Sequence, residues 1–129
     1  MDKNVVSIDA AATVADAIKE MLRSNVWSLL VEKRRLPEGV VTERDVIRRC
    51  LGKGVTPDRM PVERIMTSPL ITIGSDATIR EAMSLMVEKD VRRLFVVEKG
   101  KIVGRVTQTS LFESTLEVMS SLSSLSGQL

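Results

Sequence analysis

Histidine and tyrosine are absent from this 129-residue chain, and cysteine occurs once, as Cys50. Losing histidine removes the commonest general base and metal ligand. One cysteine without histidine excludes zinc sites of the usual kinds and Cys/His nucleophile pairs. It also excludes an internal disulfide and fits a reducing cytosol. Aromatic residues are limited to Trp27, Phe95 and Phe112, too few to stack a run of single-stranded bases. No apolar run approaches the roughly 20 residues of a membrane span, and no basic segment followed by a long apolar stretch marks a secretory signal at the N-terminus. The net charge of +2 is too small to argue for nucleic acid by itself. Hydrophobic residues at 43% and charged residues at 28% indicate a globular, soluble chain.

What the chain does have is itself, twice. Residues 39–45 read GVVTERD and residues 104–110 read GRVTQTS. With an offset of 65, Ala12, Thr13, Ala17, Met21, Val26, Leu29, Val31, Gly39, Val41 and Thr42 meet identical residues from Ala77 to Thr107 without a gap. Register held over such a length indicates a duplicated unit. In the second copy the counterpart of Asp45 is Ser110.

Each copy has one grammar. Short alternating stretches at 5–8 and 70–73 predict opening strands. Thr78 with Glu81 predicts a capping box, and Thr13 with Asp16 a weaker one. Apolar stripes follow at helical spacing, Val14, Ala17, Ile18, Met21 and Leu22 in one copy, Ile79, Ala82, Met83, Met86 and Val87 in the other. The runs at 28–32 and 94–98 predict buried strands. A second strand and helix close each copy; Pro37 predicts a bulge or edge in the first. Val46, Ile47, Cys50 and Leu51 form the predicted apolar stripe of one closing helix, Leu111, Phe112, Leu116 and Met119 of the other. The order is β-α-β-β-α, repeated, in an α/β (α+β) fold whose copies are expected to pack sheet to sheet with pseudo-twofold symmetry. The Gly- and Pro-rich stretch 52–61 marks the seam, giving repeats over 1–58 and 59–114 and a Ser/Leu-rich extension over 115–129.

This repeat resembles a pair of CBS domains (named for cystathionine β-synthase), a Bateman module, over nearly the whole chain. The resemblance implies a cytoplasmic, non-catalytic regulatory module that binds an adenine nucleotide (AMP, ADP or ATP) or S-adenosylmethionine, forms a homodimer and signals to a partner protein. It implies that the segment G-h-x-T-x-x-D closes a ligand site, with Asp45 on the ribose hydroxyls and Thr42 near phosphate or ribose oxygens. Val40 would cover a purine. The other copy would supply Leu70, Ile71, Arg92 and Arg93, with Arg44 and Arg64 also converging on a polyanion. Guanidinium groups suit phosphate. Thr42-x-x-Asp45 reads equally as an ordinary helix start, and the arginines as solvated charge.

The mirror site, from Thr107 and Ser110 with Val5, Val6, Trp27 and Ser28, is expected to be degenerate, because a hydroxyl lacks the two-oxygen acceptor of a carboxylate. Trp27 either fills that pocket or, on the preferred reading, packs in the core. The methionines Met21, Met66, Met83, Met86 and Met119 read as core filler, Arg48 and Arg49 as solvated, and the tail as a helical extension onto a dimer partner. Two other functions compete: a structural or interaction dimer without ligand, and a nucleic-acid-binding relative, the latter disfavoured. Catalysis ranks last, for want of any nucleophile–base pair.

Overall fold

Thr13 opens the first helix by a reciprocal exchange: its hydroxyl accepts from the Asp16 amide and the Asp16 carboxylate accepts from the Thr13 amide. The computed structural model describes residues 1–116. The expectations for Met119 and for the 115–129 extension lie outside those residues, save at 115 and 116. Packing divides the chain into a first unit, Asn4–Leu70, and a second, from Ile71 onward together with Met1–Lys3.

The first unit runs β1 (Ser7–Asp9), α1 (Val14–Ser24), β2 (Ser28–Lys33), β3 (Leu36–Thr42) and a short α2 (Glu43–Asp45) that continues as a turn of π-helix, Val46–Cys50. The second runs in the same order: β4 (Thr72–Gly74), α3 (Ile79–Lys89), β5 (Arg93–Glu98) and β6 (Lys101–Thr107), then helix α4 over 108–116. Each unit has one three-stranded sheet, with the opening strand parallel to the middle one and the last antiparallel. The β-α-β-β-α grammar therefore holds in both copies, although the opening strands sit slightly later than 5–8 and 70–73.

Several details depart from expectation. The full capping box forms at Thr13, whereas at Thr78 the hydroxyl accepts from the Glu81 amide without the return bond of a box. Of the helical stripes, Val14, Ala17, Met21, Ala82 and Met86 are buried, but Leu22, Ile79, Met83 and Val87 face outward. In the closing helix Val46 and Cys50 are buried while Ile47 and Leu51 are exposed, since only i and i+4 stay aligned in the widened π turn. Pro37 lies in the bulge opposite Glu32. The same bulge occurs without proline between Val96 and Val97, so the proline occupies it and does not cause it.

The segment 52–61, expected as the seam, belongs to the first unit's packing. After three 3₁₀ turns, Leu51–Lys53, Pro57–Arg59 and Val62–Arg64, Val62 and Ile65 insert fully into the core beside Val14, Ala17, Val41 and Cys50. Met66–Thr67 then crosses β3. Val40 and Thr67 exchange two backbone hydrogen bonds of 3.0 and 2.8 Å. This crossing uses Gly39: a Cβ there would lie 2.6 Å from the Thr67 carbonyl oxygen. In the second unit Asp2 and Arg105 exchange two bonds of 2.9 Å, and a Cβ on Gly104 would lie 2.6 Å from the Met1 side chain. Met1–Asp2 thus does for β6 what Met66–Thr67 does for β3, again at the offset of 65.

Candidate functional site

Strand β3 ends at Thr42, and the chain turns directly into α2, so the Gly39–Asp45 stretch passes from sheet edge to helix start. The Asp45 residue is 8% exposed. Its Oδ2 accepts from the Thr42 amide at 2.9 Å and from the Thr42 hydroxyl at 3.2 Å. The Thr42 hydroxyl oxygen accepts from the Asp45 amide at 3.3 Å. The helix-cap reading of Thr42-x-x-Asp45 is thereby met. It consumes one carboxylate oxygen; the other, Oδ1, lies 3.8 Å from the Arg49 Nε.

Ser110 performs the same cap. Its Oγ accepts from the Thr107 amide at 3.0 Å and from the Thr107 hydroxyl at 3.2 Å, while its amide donates to Thr107 Oγ1 at 3.1 Å. The Ser110 hydroxyl spends its own proton on the Thr107 carbonyl. Replacing aspartate by serine therefore costs the second copy no helix start. What disappears is the outer oxygen and its charge.

Arg49, expected to be solvated, is exposed, but its contacts were missed. Its Nη1 donates to the carbonyls of Ile65 and Met66, at 3.3 and 3.2 Å, and its Nε faces Asp45. One side chain joins the site to the segment that crosses Gly39. Its counterpart in the second unit is Ser114, so the absence of an arginine one helical turn beyond Ser110 was the available signal.

The remaining candidates fall as follows. Val40 and Thr42 are half-buried on β3, Arg44 is exposed on α2, Arg64 is exposed on the turn that begins at Val62, and Leu70 is half-buried where the first unit ends. In the second unit Ile71 is half-buried and its carbonyl accepts from the Phe95 amide. Arg92 is exposed, its carbonyl accepting from the Gln108 amide, and Arg93 opens β5 opposite Thr107. Of the mirror-site residues, Val5 and Val6 are half-buried and Ser28 is buried, in the first unit, while Thr107 and Ser110 are half-buried in the second.

Trp27 is not core: it is 59% exposed. It stands just before β2, where its carbonyl accepts from the Glu43 amide, and its ring borders a groove of about 210 Å³ with Ile18, Leu22, Val46 and Ile47. The short turn from α1 into β2 leaves an indole no interior position. Of the methionines read as core filler, Met21 and Met86 are buried, Met66 is half-buried, and Met83 is exposed. Among the described residues no cluster of three or more Cys, Asp or Glu side chains is placed to hold a metal, and no helix is long and apolar enough to cross a membrane.

A family model for the CBS domain matches twice, over residues 1–52 and 62–117. An uncharacterized protein of Methanopyrus kandleri is 31% identical over 113 residues, covering 86% of this chain and 58% of that protein. A CBS domain-containing protein of Arabidopsis thaliana is 32% identical over 115 residues, covering 88% of this chain but 21% of that protein. The chain thus spans only part of these relatives. Among solved structures, a protein with CBS domains from Burkholderia ambifaria superposes with a TM-score of 0.80 at 30% identity, over 89% of this chain and 85% of that one. An uncharacterized conserved protein of Pyrococcus horikoshii does so with a TM-score of 0.78 at 34% identity, over 89% and 87%.

Proposed function

Because the chain belongs to the CBS-domain family and carries that domain twice, we propose that it is a regulatory module that senses an adenine nucleotide, AMP, ADP or ATP, with S-adenosylmethionine in the same ligand class. No bond need be broken. Such a module acts through the difference in ligand affinity between two states and passes that difference to a partner protein.

The observation that supports this reading is the division of labour within one carboxylate. Asp45 Oδ2 completes the helix cap, and the Ser110 hydroxyl does that job equally well. The cap therefore gives no reason for an acid at position 45. A ribose does, since Oδ1 can accept from a sugar hydroxyl. Thr42 is bonded to the same carboxylate, Val40 precedes Thr42 by two residues on β3, and the family resemblance implies phosphate for Arg44, Arg64, Arg92 and Arg93, and strand contacts for Leu70 and Ile71. By the same reasoning the Thr107–Ser110 turn, which lacks that outer oxygen, is degenerate, and one nucleotide binds per chain.

The test is a thermal-shift and calorimetric series with AMP, ADP, ATP and S-adenosylmethionine on the wild type and on Asp45→Ser. The substitution copies the second unit's own cap, so the fold is expected to survive. A ligand at 100 times its Kd stabilises the wild type by about 2.7 kcal/mol, and Asp45→Ser is expected to lose that shift. Equal shifts in both proteins, or none in the wild type, refute the proposal.

A homodimer forms the second part of the proposal. Leu22 and Ile47 in the first unit and their counterparts Val87 and Phe112 in the second are all exposed. Large apolar residues left in water at equivalent places in both copies support a partner surface. Sedimentation of Leu22→Glu with Val87→Glu tests it: the wild type is expected to run as a dimer and the double variant as a monomer.

A further inference from the structure

Four large apolar side chains stand outward at matching places in the two units. In the first they are Leu22 on α1 and Ile47 on the π turn that continues α2. Both border the groove beside Trp27, so they share one face. Their counterparts at the offset of 65 are Val87 on α3, which is 82% exposed, and Phe112 on α4. Each of the four follows a buried residue, Met21, Val46, Met86 or Leu111, and each precedes an exposed charge. In the first unit those charges are Arg23 and Arg48; in the second they are Glu88 and Glu113.

One surface pattern therefore occurs twice with its sign inverted. Neighbouring positions lean the same way in the first unit. Lys19 and Arg44 are exposed there, and their counterparts Ser84 and Thr109 carry no charge. The acid Glu20 is already engaged by Arg23, at 2.7 Å. Glu43, which borders the groove, is outnumbered by Lys19, Arg44 and Arg48. The second face is not uniformly acidic, since Arg92 stands in the place of Trp27. Its acids sit directly beside the outward apolar residues, where an apolar contact would place its charged rim.

A second copy of this chain is the partner that carries the complementary pattern at the same spacing. If like faces met, Arg23 and Arg48 would lie against their own duplicates, or Glu88 and Glu113 against theirs, and like charges across an interface oppose association. If unlike faces met, arginine would lie against glutamate at both places. Among the described residues Arg48, Glu88 and Glu113 make no ion pair within their own chain. Resting on the homodimer reading above, we propose that the Leu22–Ile47 face of one copy docks on the Val87–Phe112 face of the other. The dimer is then head to tail, and a two-fold axis repeats the contact.

Sedimentation at low ionic strength of the wild type, Arg48→Glu, Glu113→Arg and the double variant tests the proposal. Each single change sets like charges against each other in both contacts and is expected to raise the Kd of the dimer about tenfold. The double variant exchanges the two signs, restores opposite charges in both contacts, and is expected to return to within about threefold of the wild type. Pairing of like faces gives no such loss, because each single change only trades one like-charged pair for another. Both positions are exposed and outside the cores, and recovery in the double variant cannot arise from damage to the fold. Single variants that dimerise as tightly as the wild type, or a double variant no tighter than the singles, overturn the head-to-tail pairing and leave the homodimer standing. A wild type that sediments as a monomer overturns the homodimer reading and this inference with it.

Discussion

Gly39→Ala isolates the cost of the strand crossing. The new Cβ would sit 2.6 Å from the Thr67 carbonyl oxygen and 2.9 Å from Met66 Sδ, against 3.4 Å or more in ordinary contact. The thioether can swing aside; the carbonyl cannot, because it accepts from the Val40 amide at 3.0 Å, and Arg49 holds the two preceding carbonyls. Overpacking of this kind costs about 1–3 kcal/mol. Each of the two Val40–Thr67 bonds is worth about 1 kcal/mol if broken. Alanine restricts the unfolded chain and returns about 0.4–1 kcal/mol. The net expectation is a loss of about 2–3 kcal/mol, read as a fall in the urea midpoint at unchanged m-value. Gly104→Ala is the control. Its closest contacts are the Met1 Cγ and Sδ at 2.6 Å, a flexible end, with the Asp2 carbonyl oxygen farther away at 2.9 Å; it is expected to cost about half as much. A Gly39→Ala protein within about 0.5 kcal/mol of wild type, or a Gly104→Ala protein that is the less stable of the two, would refute the account of both crossings.

Three further outcomes are expected. The β2–β3 turn places Arg34 and Arg35 at φ 54° and 64°, where the second unit's turn has Lys99 and Gly100; Arg35→Gly should stabilise by up to about 1 kcal/mol in thermal melts, since a non-glycine residue pays about 1–2 kcal/mol there. Ile65→Ala should cost about 2–5 kcal/mol by denaturant titration, because Ile65 is 1% exposed in the core. The third concerns acid. Hydrogen bonds from the Thr13 amide and hydroxyl hold the Asp16 carboxyl below its ordinary value of 3.8. A lowered folded value means stability that is present above 3.8 and lost as pH falls below it through the folded value. Asp16→Asn should therefore flatten the acid limb of a stability–pH curve in that window, lying below the wild type at neutral pH and converging with it in acid.

How far the sequence was legible depended on whether a feature is local. Thr13, Thr78 and the continuous apolar runs of β2 and β5 announce themselves within a few residues, and the 65-residue offset placed the second copy from the first. The outward turn of Ile47 and Leu51 was hidden, because a π turn changes the period that the apolar stripe assumes. Trp27 was hidden too, since indole size argues for burial but a connection between α1 and β2 has no interior to offer. Thr42-x-x-Asp45 was readable as a cap and as a ligand grip, and the structure shows the cap directly. The Ser110 geometry shows that the cap needs no carboxylate. Val62 and Ile65 fell in the expected second repeat, 59–114, because Gly- and Pro-rich chain precedes them; their burial in the first unit depends on a gap formed by residues far upstream.

The crossing residues also govern how the molecule can be dissected. The pair that seals the first hairpin, Met66–Thr67, leads straight into the second unit's opening strand, and the pair that seals the second, Met1–Asp2, leads into the first unit's. Each unit borrows its final stitch from the stretch of chain that introduces the other. An excised half bounded by the duplication would lack that stitch, whereas one running from Asn4 to Leu70 keeps it. Gene duplication and structural autonomy therefore have different endpoints in this chain, and a permuted gene starting at Ile71 would need Met1–Lys3 joined behind its last residue to remain whole.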